Sequence, residues 1–167
     1  MPPDQAPVIV AFDGSPESAA AVRAATDLFA GRRLFIVSVW EPGLAVAFPA
    51  ATDAFGVADV AYTTARPEDI LAVDRAQHDH ATSVAVAGVH LAREAGGSAE
   101  PVAVPEADDI ADTIIDAAEF RGACAIVVGS RGRGKVRSMF GSTSQALLHR
   151  TALPVLVVRA PEPAEAT

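Results

Sequence analysis

Cysteine is nearly absent: Cys124 is the only one among 167 residues. A single thiol excludes an internal disulfide and a cysteine-based zinc site, and makes a reducing cytoplasm the expected setting. Long apolar runs are missing as well. None reaches the roughly 18 residues a membrane-spanning helix needs, so no membrane association is expected. The opening Met1-Pro2-Pro3-Asp4-Gln5 has no basic stretch leading into an apolar one, which is not the pattern of a signal peptide. Positive charge is in deficit, with 13 Lys and Arg against 21 Asp and Glu and a net charge of −8. Such a chain lacks the field that general binding to nucleic acid or anionic lipid requires. No internal repeat is present.

What is there is a core. Half of the residues are hydrophobic, at a length that suits one domain. Short apolar runs at residues 7–12, 34–39, 99–104, 123–128 and 154–158 read as strands. Most are continuous and rich in Val and Ile, the mark of strands covered on both faces. Helical patterns alternate with them. Ser15-Pro16-Glu17 combines a capping serine, a proline in the first turn and an acid at the positive end of the dipole, and Gly31 closes that helix. Further helices are expected over 68–95, 108–120 with Ile110, Ile114, Ile115 and Ala118 on one face, and from near Ser142 to near Thr151. The alternation predicts an α/β fold: one doubly wound, Rossmann-like parallel sheet of five strands with helices on both faces. The segment from Trp40 to Pro67 lacks periodicity and reads either as a lid or as a disordered insertion. Residues 1–160 are expected to form the domain and 161–167 a disordered tail.

In such sheets ligands bind outside the carboxyl ends of the strands, where the strand order reverses. Asp13-Gly14-Ser15 follows the first strand. Its carboxylate can accept from ribose hydroxyls, or it can simply build a capping turn. After the fourth strand come Gly129-Ser130-Arg131-Gly132 and, further on, Gly141-Ser142-Thr143-Ser144 at a helix start. Glycines allow close approach of backbone N–H groups to phosphate, and a helix start supplies donors and a positive dipole. Arg131, Arg133, Lys135 and Arg137 fall here, and no acid lies between Phe120 and Thr151. The segment therefore reads as a phosphate site, with a solvated basic turn as the other reading. Gly129 to Lys135 imitates a P-loop, but Val136 stands where that motif needs a Ser or Thr for magnesium, and no second magnesium carboxylate follows.

Taken together, residues 7–159 resemble the universal stress protein family. The resemblance rests on Asp13-Gly14-Ser15 with Ser18 and Ala21, and on Val127-Val128-Gly129-Ser130-Arg131-Gly132. It continues in Gly141-Ser142-Thr143-Ser144-Gln145-Ala146-Leu147-Leu148-His149 and the ending Pro154-Val155-Leu156-Val157-Val158-Arg159. It implies strand order 3-2-1-4-5, ATP or a related adenine nucleotide as ligand, alone or with Mg2+, and a homodimer through the strand from Pro154 to Arg159. It also implies a sensor or regulator in a stress or dormancy response, read by a regulatory protein partner. By position, Asp13 and Gly129 would hold the ribose and the backbone of Val39 would read the adenine edge. Gly132, Gly141, Ser142 and Thr143 would donate to the phosphates, with Arg131 and Arg133 adding charge. Two features depart from the ATP-binding pattern. Eight residues, not nine, separate Gly132 from Gly141, and the turn after the third strand is Pro105-Glu106-Ala107-Asp108. Acids there repel a triphosphate unless a divalent ion intervenes. The alternatives are a dimeric interaction module without nucleotide, or a slow ATP hydrolase using Asp13 with a metal. No residue is evidently placed to activate water, so any hydrolysis is expected to be slow.

The remaining candidates read as structural. Asp74 and His78 share a helix face but lack a third metal ligand, and His80 and His90 read as surface residues. His149 suits the end of its helix. Cys124 reads as inert packing in a buried strand. Trp40 either closes over a base or covers the long loop.

Overall fold

In the computed structural model, which describes residues 6–42, 67–130 and 141–160, strands and helices alternate from end to end. The elements are β1 (Val8–Ala11), α1 (Pro16–Leu28), β2 (Arg33–Trp40), α2 (Pro67–Glu94), β3 (Ser98–Pro105), α3 (Ile110–Phe120), β4 (Ala125–Gly129), α4 (Ser142–Arg150) and β5 (Val155–Val158). All strand pairs are parallel, in the order β3-β2-β1-β4-β5, as expected from the sequence. Most of the 40–67 segment, Arg131, Gly132 and the tail lie outside the described residues.

The continuous apolar runs are explained by two core layers. Successive strand residues point to opposite faces. Val8, Val10, Leu34, Ile36 and Val127 pack with Val22 of α1 and Val89 of α2. Ile9, Val37 and Ile126 pack with Ile114 of α3 and Leu147 of α4. Each fully buried aliphatic side chain contributes about 1.5–3 kcal/mol. Gly88 lets α2 lie close on the sheet, since a Cβ there would come within 2.6 Å of Ile36 Cγ2.

Helix starts follow their capping chemistry. The hydroxyl of Ser15 accepts from the Ser18 N–H at 3.2 Å. Asp109 caps α3, accepting from the Asp112 N–H at 2.9 Å, so α3 begins slightly later than its apolar pattern suggested. Ile110, expected on the core face, is therefore in the first turn and 43% exposed. Gly14 supplies the positive φ of 81° between β1 and α1. Cys124 corrects another expectation. It precedes β4 and is only half-buried, with its thiol 3.5 Å from Arg32 Nη1 and from the Ala6 carbonyl. Pairing in β4 starts at Ala125, one residue after it.

Candidate functional site

The chain runs outward from β1 through β2 to β3, then returns to the other side of β1 for β4 and β5. The carboxyl ends of β1 and β4 therefore flank the point where the order reverses, which is where ligands bind in such sheets.

A cleft of about 540 Å3 opens at this edge. Asp13 forms one side. Ser38, Val39, Trp40 and Glu41 at the end of β2 form its floor, and Gln77, His80, Ala81 and Val84 of α2 cover it. Glu106 and Ile110, on either side of the turn into α3, complete it. Among the described lining residues there is no Lys or Arg.

Register explains why Val39 is at the wall. The Phe12 N–H donates to the Val37 carbonyl at 2.9 Å, so Val37 turns its peptide groups toward β1. Val39 is two residues on and turns the same way, but β1 has ended at Ala11, opposite Val37. Its N–H and C=O thus form a donor and acceptor pair aimed past the end of β1, beside Asp13. Asp13 Oδ1 accepts from the Ser15 N–H at 2.9 Å, building the capping turn, and the residue also lines the cleft.

Trp40 turns the other way. Its carbonyl accepts from the Glu106 N–H at 2.7 Å, tying the turn after β3 to the end of β2. Its ring meets His78 edge-on, with centroids 6.0 Å apart and planes at 84°. His78 Nδ1 also lies 3.4 Å from Asp79 Oδ1. The indole Nε1 is buried without a hydrogen-bond partner among the described residues.

Glu106 is half-buried, and burial, then the like charges of Glu41 and Asp109, hold its carboxyl above the ordinary value. Asp109 is held below its ordinary value, first by the hydrogen bond from Arg150 and then by the Asp112 N–H. Arg150, in the last turn of α4, donates to both Asp109 and Asp112. It thereby joins the end of α4 to the start of α3. Thr113 locks the same turn, accepting from the Ala107 N–H at 3.1 Å and donating to the Asp109 carbonyl at 2.8 Å.

A second cluster gathers where β4 ends. The Ser130 N–H donates to the Val158 carbonyl, and the Gly141 N–H donates to the Ser130 carbonyl, each at 2.6 Å. Ser144 Oγ donates to the Gly141 carbonyl at 2.9 Å. Both ends of the glycine-rich segment are therefore pinned together. The residues between them, 131–140, lie outside the described residues. Gly141 caps α4 without a side-chain hydrogen bond. Its own amide is engaged by Ser130, which leaves the amides of Ser142, Thr143 and Ser144 as first-turn donors without an acceptor inside the helix. The hydroxyl of Ser130 is fully buried and has no partner among the described residues.

Of the residues singled out from the sequence, Asp13 and Val39 share the cleft wall. Gly129, Gly141, Ser142 and Thr143 do not line it; they stand one strand over on the same edge of the sheet. Gly129 is closely fitted to α1: a Cβ on it would sit 2.9 Å from the carbonyl carbon and Cβ of Glu17 and 3.0 Å from Ser18 N. Arg131 and Gly132 lie outside the described residues. Ser38, Gln77 and Ser130 carried no expected role, and His80, read as a surface residue, is exposed yet lines the cleft. Their only signal was position, at a strand end or one helical turn apart. Among the described residues no three His, Cys, Asp or Glu side chains converge as a metal site, and no helix is long and apolar enough to cross a membrane.

The family model described as Universal stress protein family matches residues 6–159. Solved structures share the fold. Universal stress protein UspA from Lactobacillus plantarum aligns with a TM-score of 0.68 at 18% identity, covering 92% of this chain and 97% of that one. The universal stress protein from Archaeoglobus fulgidus in complex with dAMP aligns at 0.59 and 22% identity, covering 92% and 97%. A universal stress protein in complex with cAMP aligns at 0.60 and 21%, covering 94% and 98%. A comparison with curated proteins finds no match.

Proposed function

Because this chain belongs to the universal stress protein family, we propose that it binds an adenine nucleotide at the carboxyl edge of the sheet, from the cleft beside Asp13 and Val39 toward the end of β4, and acts as a nucleotide-responsive regulator. The observation that carries this reading is the pairing of a nucleoside-sized cleft with orphaned donors beside it. Asp13 and the outward peptide of Val39 suit a ribose and a base edge. One strand over, the buried Ser130 hydroxyl and the first amides of α4 suit phosphate oxygens. The dAMP and cAMP complexes of structural neighbours support the same ligand class.

ATP is the form that would use both clusters, with Arg131 and Gly132 adding to the phosphate end. Magnesium, where used, would be held chiefly by the phosphates, and it would offset the carboxylates of Glu41 and Glu106. Nucleotide binding would set a state that a partner protein reads in the cytoplasm. The edge strand β5 suits a homodimer. Its four apolar residues are all half-buried, whereas β3 at the opposite edge carries Pro101 and Pro105, which lack donors.

Equilibrium dialysis of ATP, AMP and cAMP, with and without Mg2+, tests the reading. Dissociation constants well below about 1 mM are expected, stronger than about −4 kcal/mol. Ser130→Ala should weaken ATP about tenfold while leaving thermal stability intact, because its hydroxyl makes no hydrogen bond among the described residues. Binding no tighter than millimolar for all three nucleotides would refute the proposal.

A further inference from the structure

Trp40 is the chain's one tryptophan and the last residue of β2. Leu34 and Ile36 of the same strand face the layer of α1 and α2, and alternation places the Trp40 ring on that side too. There it stands edge-on to His78 and lines the cleft. Its Nε1 is shielded from solvent and has no acceptor among the described residues. A buried indole N–H nearly always has a partner, and leaving it without one is unfavourable. Phenylalanine would supply an apolar ring here without that liability. Carboxylates are close at hand in the cleft wall, yet none pairs with this donor.

We infer that Trp40 is a specificity-determining residue whose indole N–H donates to the nucleoside part of the bound nucleotide. This rests on the nucleotide reading above and extends it to a side chain. The acceptor is a neutral atom, either a ring nitrogen of the base or a ribose oxygen. A phosphate is disfavoured here because Glu41 and Glu106 line the same cleft and no cation does so among the described residues. The adjacent Val39 peptide offers one donor and one acceptor to an edge of the base. Trp40 adds a second donor from the α1 and α2 side of the sheet, so the ligand must present at least two acceptors and one donor. Adenosine does so.

The test is isothermal titration of AMP and its 1-deaza, 3-deaza, 7-deaza, 2′-deoxy, 3′-deoxy and carbocyclic analogues into wild type and Trp40→Phe. In wild type, the analogue lacking the acceptor should bind about tenfold more weakly than AMP, and its identity separates base from ribose. Trp40→Phe should bind AMP about tenfold more weakly and show no further loss with that analogue. The unliganded variant should unfold at a temperature no lower than wild type, which a purely structural tryptophan would not allow. Equal AMP affinity in wild type and Trp40→Phe overturns the assignment while leaving nucleotide binding intact. Equal affinity of wild type for AMP and every analogue overturns it without recourse to the variant. Failure of wild type to bind any adenine nucleotide overturns both readings.

Discussion

The amide of Gly141 donates to the carbonyl of Ser130 at 2.6 Å, so the end of β4 and the start of α4 meet directly across the intervening glycine-rich residues. This one contact separates the geometry of the helix start from the length of the segment it closes. The Ser130 N–H bond to Val158 anchors the same point to the sheet.

Inserting one glycine within residues 131–140 should consequently leave stability nearly unchanged. The added closure entropy for a segment of this length is about 0.1 kcal/mol. Urea denaturation should give superimposable transitions for the insertion variant and wild type. A clear loss would mean that the segment's length, and not the Ser130–Gly141 contact, positions α4.

Gly129→Ala should destabilise the fold by about 1–3 kcal/mol, because the new Cβ would press on the backbone of Glu17 and Ser18 at the start of α1. Chemical denaturation without ligand measures this. If the variant is as stable as wild type, β4 and α1 separate at little cost and the close fit at Gly129 is not a packing constraint.

Arg150 and Asp109 predict an acid-dependent term. The folded state holds Asp109 below its ordinary value of 3.8. Stability from this group is therefore present above that value and lost as pH falls through the lowered one. Arg150→Met should reduce the melting temperature at pH 7, with the difference shrinking below about pH 4. A difference independent of pH would point to lost packing by the arginine stem.

Glu106 has the opposite sign. Its value is raised above the ordinary 4.5, chiefly by burial. The stability it contributes when protonated is complete below 4.5 and lost as pH rises through the raised value. Glu106→Gln should raise the melting temperature at pH 7 and give no gain in acid. Melting curves across that range decide it, and a loss at pH 7 would show that the charged form is wanted.

In β5 the carbonyls of Pro154 and Val158 face β4, so Val155 and Val157 direct their peptide groups outward. Val157→Pro removes an outward donor without breaking a bond inside the sheet. If β5 pairs with a second copy, light scattering should show a dimer in wild type and at least a tenfold weaker one in the variant. Identical masses for the two would exclude pairing through this edge.

The continuous apolar runs indicated a parallel sheet covered on both faces, and Val8 to Val10 and Ile126 to Val128 do pack alternately into the two core layers; the strand order came from the family resemblance. Local chemistry was equally legible where it acts over a few residues: the Ser15 cap, the Asp13 turn and the start of α4 near Ser142. Tertiary structure alone decided which groups are used up and which are left over. That the Gly141 amide is already engaged, that the Val39 peptide overhangs the end of β1, and that the hydroxyl of Ser130 and the indole of Trp40 are buried without partners among the described residues all depend on contacts between distant segments. Residue type and spacing determine what a side chain can donate or accept. Only the packed chain determines whether another part of the protein has already taken it.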